Sequence, residues 1–309
     1  MQAFSILNNW YRTQRLRAVP ADTLAEHRAA LWQQLQPALA KTPALARYAG
    51  AARADVPMTT PMDMRADISR WNSLGICHDA ACAAALRAEA GGSGEVLPGV
   101  IAGYSTGTSG SRGVFLATAK ERAIYAGQSL AKLAALPMLV SGVRIMLFLR
   151  ANSRLYSEGK SARLFDLRYC PINQPAHEKA AAANAYNPHI LIAPAHVLAE
   201  LAENGFKGEA LRQCFYGAEP MGDLEKDWIG QALGVTPCPI YQATEGFLGF
   251  TCRHGRLHLN EDSLAIDYLP VAGTNGVQIA VTDLLRTTQP MVNVVPVSYT
   301  HLRAHETLR

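Results

Sequence analysis

The chain has 309 residues, of which 49% are hydrophobic and 17% are charged. This length predicts about two domains or subdomains, and so apolar a composition excludes disorder, collagen-like repeats and coiled coils. The 29 basic and 25 acidic residues leave a net charge of +4. Because the basic residues form no blocks, the charge pattern does not favour a nucleic-acid partner.

The sequence also indicates where the protein resides. The most apolar window, residues 130–149, contains Lys132, Pro137 and Arg144, so we do not expect it to span a membrane. The N-terminus has no basic stretch followed by an apolar one, and the 6 cysteines are scattered as in a protein with reduced thiols. We therefore expect a cytoplasmic protein without a membrane partner.

Helical and strand patterns alternate along the chain. Helices are predicted at 22–39, where Asp22 can act as the cap, and at 195–204 and 223–233, which Gly205 and Gly234 end. Buried strands are predicted at 144–149, 190–193, 211–216 and 235–241. From residue 257 onward the pattern changes to paired strands, with an Asn-Gly turn within 273–276. This order predicts an α/β fold with layered sheets that are flanked by helices.

The segment 104–113, Tyr-Ser-Thr-Gly-Thr-Ser-Gly-Ser-Arg-Gly, is the most informative part of the chain. It holds 3 glycines and 5 serines or threonines, which favour neither a helix nor a strand. Backbone N–H groups and hydroxyls in such a loop can surround an anion, and Arg112 supplies one fixed positive charge. The segment therefore indicates a polyphosphate-binding loop, with a plain surface linker as the alternative. It is not a Walker loop, because it contains no lysine.

The same segment also matches a different motif. Residues 103–107 spell G-x-S-x-G, the nucleophile elbow of α/β-hydrolases, with Ser105 in the nucleophile position. A nucleophile elbow has to lead directly into a helix, and the following Thr-Ser-Gly-Ser-Arg-Gly is unsuited to begin one. A hydrolase that uses Ser105 stays open as an alternative.

A family resemblance rests on this loop together with two later motifs, Gly217-Ala218-Glu219-Pro220 and Tyr241-Gln242-Ala243-Thr244-Glu245. With these three motifs in this order, the sequence resembles the adenylate-forming enzymes. It is most similar to the branch that holds phenylacetate–CoA ligase and the synthetase that adenylylates a deazaflavin coenzyme. The resemblance runs from about Leu7 to Asn293, and His258 to Asp262 and Thr282-Asp283 resemble the hairpin segments of that branch.

The resemblance implies a role for each motif. The residues implied to hold the β- and γ-phosphates of ATP are Thr106, Gly107, Thr108, Ser109 and Gly110, with Arg112 near the place where the family often has a lysine. The residues implied to surround the adenine are Gly217, Ala218, Glu219, Tyr241 and Gln242, with the Tyr241 ring against its face. Thr244 would contact the α-phosphate and Glu245 would bind Mg²⁺. These two are the implied catalytic residues.

The implied enzyme is an AMP-forming ligase that uses ATP and Mg²⁺. A small-molecule carboxylate would react with ATP to give an acyl-adenylate and pyrophosphate, and the acyl group would then pass to CoA. Two alternatives stay open, transfer of AMP to an acceptor hydroxyl and a non-catalytic nucleotide-binding remnant. The polar residues 150–153 follow a predicted strand and can border the acceptor pocket.

The end of the chain departs from this pattern. Residues 297–307, Val-Ser-Tyr-Thr-His-Leu-Arg-Ala-His-Glu-Thr, resemble a translated transposon mosaic-end adapter of the kind used in DNA library preparation. We expect residues 1–296 to form an adenylate-forming N-terminal domain that is incomplete at its C-terminal end, and residues 297–309 to be a non-native tail. Family members continue past this point with a ribose-binding aspartate, a hinge and a lysine, so the chain as given is expected to be incomplete for catalysis.

Overall fold

The alternating pattern folds into three β-sheets with helices around them. In the computed structural model, the residues described are 2–105, 112–134, 136–149, 164–217, 219–243, 246–252, 254–273, 276–296 and 302–303. The helices are α1 Gln2–Leu16, α2 Ala21–Lys41, α3 Pro61–Ala66, α4 His78–Glu89, α5 Ala119–Leu133, α6 Leu136–Val140, α7 Ala176–Tyr186, α8 Ala195–Glu203 and α9 Asp223–Leu233. The strands are β1 Glu95–Leu97, β2 Val100–Tyr104, β3 Val114–Thr118, β4 Val143–Leu149, β5 Phe165–Pro171, β6 Ile190–Pro194, β7 Gln213–Gly217, β8 Pro237–Ala243, β9 Gly246–Thr251, β10 Leu257–Leu259, β11 Leu264–Pro270, β12 Gly276–Asp283 and β13 Leu302–Arg303.

The central sheet has seven strands in the order β10-β9-β8-β7-β6-β4-β5. The five strands from β8 to β5 are parallel, and β9 and β10 continue the sheet in antiparallel pairing. Helices cover both faces of the parallel part, which explains why its strands are apolar runs instead of alternating sequences. One face packs on α7, α8 and α9, and the other packs on α1, α5 and α6.

Most of the predicted elements are confirmed. The helices α8 and α9 occupy the predicted ranges, and the glycines that follow them have the positive φ angles of helix stops, +78° at Gly205 and +70° at Gly234. The predicted cap of α2 is wrong. The capping position is Pro20, whose side chain accepts no hydrogen bond, and Asp22 lies one residue inside the helix. Its carboxylate there faces the positive end of the helix dipole.

Two smaller antiparallel sheets flank the central one. The first, β1-β2-β3, packs against α4 through a cluster that includes Ala81, Ala85 and Leu116. The second, β11-β12-β13, confirms the paired strands expected after residue 257, with Leu264 opposite Asp283 and Pro270 opposite Val277. The expected Asn-Gly turn contains residues 274 and 275, which lie outside the described residues. None of the helices described here has both the length and the hydropathy of a membrane span.

Candidate functional site

The parallel strands define one edge of the central sheet where loops collect. Their pairing places the C-terminal ends of β4, β5, β6, β7 and β8 along this edge. The strands β5 and β6 lie on opposite sides of β4, so the chain reverses its direction of travel across the sheet between β4 and β6. Open α/β sheets bind ligands in the crevice at such a reversal. The predicted acceptor loop 150–153 follows β4 but lies outside the described residues.

The predicted phosphate loop joins the strands of a hairpin. Residues 106–111 lie outside the described residues, but their flanks are antiparallel, with Tyr104 opposite Val114. Ser105 N–H donates to the Gly113 carbonyl at 2.8 Å, and Gly113 N–H donates to Ser105 Oγ at 3.0 Å. A nucleophile elbow needs a strand that turns into a helix, whereas here the chain returns as a strand. The described flanks therefore do not have the geometry that the hydrolase alternative requires.

Arg112 lies at the exit of this loop, and its charge is already engaged. Its Nη1 donates to Glu89 Oε2 at 3.1 Å, while its Nη2 binds the other Glu89 oxygen. The guanidinium also lies over the Tyr104 ring, 4.9 Å from its centre. Arg112 was predicted from the composition of its loop, whereas Glu89 was not. Glu89 lies 23 positions earlier in the chain, and no local sequence pattern connects the two residues.

The predicted adenine loop follows β7, and one of its residues has an unpredicted partner. Gly217 ends the strand, Ala218 lies outside the described residues, and the Glu219 carboxylate approaches His196 Nδ1 at 2.9 and 3.1 Å. The His196 backbone N–H also donates to this carboxylate, at 3.4 Å. Polar residues directly after a buried strand are candidates for a ligand crevice, so the position of His196 just beyond β6 could have identified it. The adenine contacts of Gly217, Ala218 and Glu219 stay predictions.

The last predicted motif lies at the turn between β8 and β9. Thr244 and Glu245 lie outside the described residues, but Ala243 pairs with Gly246 on either side of them. Tyr241 is only 2% exposed and packs in an apolar cluster between the central sheet and β11-β12, while Gln242 is exposed. A purine could stack on Tyr241 only if neighbouring side chains moved. Its adenine contact, and that of Gln242, stay predictions.

Residues 283–289 approach both predicted nucleotide loops. Of this segment, only Asp283 was singled out from the sequence. On one side the segment binds Glu121 at the start of α5, a helix that directly follows β3. Glu121 Oε1 accepts from the N–H groups of Thr287 and Thr288 at 2.8 and 2.7 Å. Burial alone would raise the pKa of Glu121, but hydrogen bonds from Thr118 and Thr288 outweigh it and hold the pKa below its usual value.

Gln289 strengthens the attachment of this segment to the phosphate hairpin. Its buried side chain accepts from the Leu116 N–H at 3.1 Å and donates to the Val114 carbonyl at 3.5 Å, along the outer edge of β3. In this way one amide side chain replaces the peptide group of a neighbouring strand. A cavity of about 10 Å³ beside Gly113 and Gln289 has room for one water molecule.

On its other side, the segment touches the turn that carries Glu245. A side-chain carbon at Gly246 would lie 3.2 Å from Asp283 Oδ2, so the absence of a side chain at Gly246 gives this carboxylate its place. Asp283 Oδ1 accepts from the Leu285 N–H at 3.0 Å, and burial raises the pKa of Asp283 to about 6. Residues 283–289 thus connect the flanks of the phosphate loop and of the Thr244-Glu245 turn.

The donor chemistry of this turn suits a hard divalent cation. Mg²⁺ prefers carboxylate oxygens and is usually bound by one or two of them together with water and substrate phosphates. Asp283 is a carboxylate in contact with the residue that follows Glu245. In the described part of the chain, this turn included, no group of three or more histidine, cysteine, aspartate and glutamate side chains could hold a metal ion.

Comparison with solved structures shows the fold. The chain is similar to 2-hydroxyisobutyryl-CoA ligase in an open conformation in complex with 2-HIB-AMP and CoA, with a TM-score of 0.64 and 16% identity over 91% of this chain and 68% of that one. The same ligase in its thioesterification state gives a TM-score of 0.65 over 94% and 68% of the two chains. The expected α/β architecture, with layered sheets flanked by helices, is confirmed, since the fold matches that of this ligase over more than nine-tenths of the chain. The sequence matches no protein-family model and no curated protein.

Proposed function

We propose that the protein is an AMP-forming ligase that activates a small carboxylic acid. The carboxylate oxygen attacks the α-phosphorus of ATP, and pyrophosphate leaves with the electrons of the broken P–O bond. In a second step, the thiol sulfur of CoA attacks the acyl carbon and AMP leaves. The products are an acyl-CoA thioester, AMP and pyrophosphate.

The observation that carries this proposal is the connection between the two nucleotide motifs. The segment 283–289 binds β3 through Gln289 and the start of α5 through Glu121, and Asp283 places its carboxylate beside Gly246, the residue that follows Glu245. The helix α5 adds a direct contact, since the rings of Tyr125 and Phe247 meet edge to face at 6.3 Å. The phosphate loop and the Thr244-Glu245 turn, far apart in sequence, are thus both flanked by residues 283–289 and α5. The fold likeness to a ligase whose structures contain an acyl-adenylate and CoA supports the same conclusion.

In the proposed adenylation step, the main role of the protein is to position charged groups around the phosphates of ATP. The residues proposed to hold the β- and γ-phosphates are Thr106, Gly107, Thr108, Ser109, Gly110 and Arg112, and Thr244 is proposed to contact the α-phosphate. Glu245 is proposed to hold Mg²⁺, which when bound neutralises charge on the departing pyrophosphate. Phosphoryl chemistry of this kind depends on orientation and electrostatic stabilisation more than on covalent steps by the protein.

The acid is proposed to bind where the chain reverses its direction across the sheet. The neighbouring parallel strands β4 and β6 both end there, and His196 at the start of α8 is 47% exposed on its side chain. The carboxylate of Glu219 holds the His196 ring through Nδ1. The His196–Glu219 pair therefore connects the proposed acid pocket after β6 with the proposed adenine loop after β7.

An exchange assay tests the adenylation step. Incubation with MgATP, labelled pyrophosphate and a panel of carboxylic acids should label ATP only when a suitable acid is present. Glu245→Gln should abolish the exchange, because it removes the carboxylate proposed to bind Mg²⁺. The matched control is Glu203→Gln at the exposed end of α8, which should leave the exchange unchanged. Exchange that Glu245→Gln does not reduce would remove Glu245 from the mechanism.

Hydroxylamine separates adenylation of a carboxylate from transfer of AMP to a hydroxyl. An acyl-adenylate is attacked at its carbonyl carbon and gives a hydroxamate with release of AMP. An AMP ester of an alcohol has no such carbonyl group. Hydroxamate that accumulates with ATP and the acid supports the proposal, while AMP transfer without hydroxamate contradicts it.

We further propose that residues 1–296 form one nucleotide-binding domain and that residues 297–309 are a non-native addition to it, although the two residues of β13 pair with the end of β12 at Gly276 and Val277. Packing supports this boundary, because Val292 and Val294 are buried in the same apolar cluster as Leu35 and Leu39 of α2. Val294 also pairs with Thr59 and Val281 through isolated strand bridges. Limited proteolysis should trim the chain after Pro296 before it cuts within this cluster. Sequencing the gene across its 3′ end would test whether 297–309 are native.

A further inference from the structure

The positive charge at the exit of the phosphate loop comes with a fixed partner. Arg112 and Glu89 form a two-pronged ion pair, in which each terminal nitrogen of the guanidinium faces one carboxylate oxygen. Their side chains are 28% and 25% exposed, so the pair is mostly covered. A two-pronged pair between arginine and a carboxylate fixes the plane of the guanidinium as well as its position.

Two further contacts complete this orientation. Arg112 Nε donates to the Ser105 carbonyl at 3.2 Å, and the Tyr104 ring lies against the face of the guanidinium. Within the described residues, the contacts with Glu89 and Ser105 employ three of the five N–H groups of this arginine, and one N–H on each terminal nitrogen has no partner among them. Both residues that flank the start of the loop therefore hold the arginine that stands at its exit.

Glu89 has a firm position relative to the loop. It is the last residue of α4, whose buried face packs through Ala81, Ala84 and Ala85 against the β2–β3 hairpin. Interiors of this kind are close-packed, so the end of α4 and the hairpin form one body. The carboxylate is thereby set at a constant distance from the strands that carry the loop.

Stability alone is a weak explanation for this arrangement, because partly exposed ion pairs contribute little to the free energy of folding. Taking the proposed use of ATP as its basis, we propose that Glu89 is a positioning residue for the polyphosphate of a nucleoside triphosphate. It holds Arg112 so that one of the remaining N–H groups is presented to the β- or γ-phosphate. Without Glu89, the arginine keeps its charge but has to be ordered when the ligand binds, which costs affinity.

The proposal makes a definite choice between two opposite effects. The negative charge of Glu89 repels the phosphates, so its removal would tighten binding if Glu89 acted only through its charge. Its removal weakens binding if it acts by orienting Arg112. The sign of the change in affinity for MgATP therefore tests the proposal directly.

Calorimetric titration of the full chain with MgATP and with AMP provides the test. Arg112→Gln should weaken MgATP binding about tenfold, the size expected for loss of a charge-assisted hydrogen bond. Glu89→Gln should weaken it by about three- to tenfold, and Glu89→Asp, which keeps the charge, by less. Affinity for AMP, which lacks the β- and γ-phosphates, should stay within about twofold in all three variants, since a purely structural loss would lower both affinities.

The double variant decides whether Glu89 acts through Arg112. If it does, adding Glu89→Gln to Arg112→Gln should change MgATP affinity less than about twofold, because the partner is already gone. Glu95→Gln on β1, the same change in the small sheet that packs against α4, is the matched control and should have no effect on MgATP affinity.

Four results would overturn the inference. Tighter MgATP binding by Glu89→Gln would show that repulsion dominates, and a full effect of Glu89→Gln without Arg112 would show that the arginine is not the route. If the wild-type chain binds AMP but Glu89→Gln leaves MgATP affinity unchanged, the inference fails while the proposed function stands. If the wild-type chain binds neither nucleotide, the proposed function fails and this inference fails with it.

Discussion

The parallel sheet and the phosphate hairpin are held in place by different forces. The sheet is surrounded by two large apolar clusters, in which residues such as Leu191, Val197 and Leu198 are fully buried. The hairpin has its own small apolar cluster with α4, but residues 283–289 bind it through the polar groups of Glu121 and Gln289. Burial therefore dominates the stability of the first region, whereas a few hydrogen bonds set the position of the second. The difference implies that stability and nucleotide affinity can be changed separately.

The largest expected effect on stability comes from a substitution in the apolar cluster around the parallel sheet. Leu198→Ala removes a side chain of α8 that is 0% exposed and faces the central sheet. We expect a loss of about 3 kcal/mol in the free energy of unfolding, from the lost transfer energy and the cavity left behind. Urea unfolding measures it. The folded variant should still bind MgATP with wild-type affinity, since the change lies outside the hairpin.

A matched substitution tests whether burial is the cause. Leu224→Ala on α9 changes the same residue type, but Leu224 is 88% exposed. Its effect should stay within about 0.5 kcal/mol. Equal losses in the two variants would contradict the view that the apolar cluster holds this region.

The same difference explains how much of the fold could be predicted from the sequence. The strand at Ile190 and the helix that begins at Ala195 were predictable because each carries its own apolar pattern and its own stop signal. A loop between β2 and β3 was predictable from its glycines and hydroxyls, while its binding of phosphate stays a prediction. The contact between Glu121 and Thr288 spans 167 residues, and the one between Gln289 and Leu116 spans 173, so no local pattern could indicate them.

The sequence was also silent about the state of the candidate site residues. It identified Arg112 and Glu219 as polar groups in suitable loops, but a charge in a loop does not show which opposite charge the fold brings to it. Glu89 and His196 became their partners only through the packing of α4 and α8. Burial of the ring of Tyr241 likewise depends on β11 and β12, which lie later in the chain.

The polar side of the comparison is tested by Glu121→Gln. We expect a loss of about 2 kcal/mol at neutral pH, because several donors on Thr118, Thr287 and Thr288 lose a charged acceptor. The pKa of Glu121 is lower in the folded protein than its ordinary 4.5, so its contribution is complete above that value and disappears as the pH falls through the folded pKa. Urea unfolding of wild type and variant between pH 7 and pH 3 should therefore show two stabilities that converge in acid. A constant gap would show that charge is not the cause. MgATP affinity should fall too, since the attachment of 283–289 to the hairpin is loosened.

The smallest expected effect, and the finest test, concerns the other carboxylate of the same segment. Burial raises the pKa of Asp283 from 3.8 to about 6, so between these values the folded protein holds a proton that the unfolded chain has released. Stability from this group is therefore present at low pH and is lost as the pH rises to about 6, by at most about 3 kcal/mol. Asp283→Asn carries no such penalty but loses the charged acceptor of the Leu285 N–H, so we expect a net gain of about 1 kcal/mol at pH 7. Well below pH 3.8, where Asp283 is protonated in both states, wild type regains up to about 3 kcal/mol, so the gain should turn into a loss of up to about 2 kcal/mol. If urea unfolding shows the same difference in stability between variant and wild type at pH 4 and at pH 7, Asp283 is ionised in the folded protein at both pH values. Its pH dependence would then not be opposite to that of Glu121.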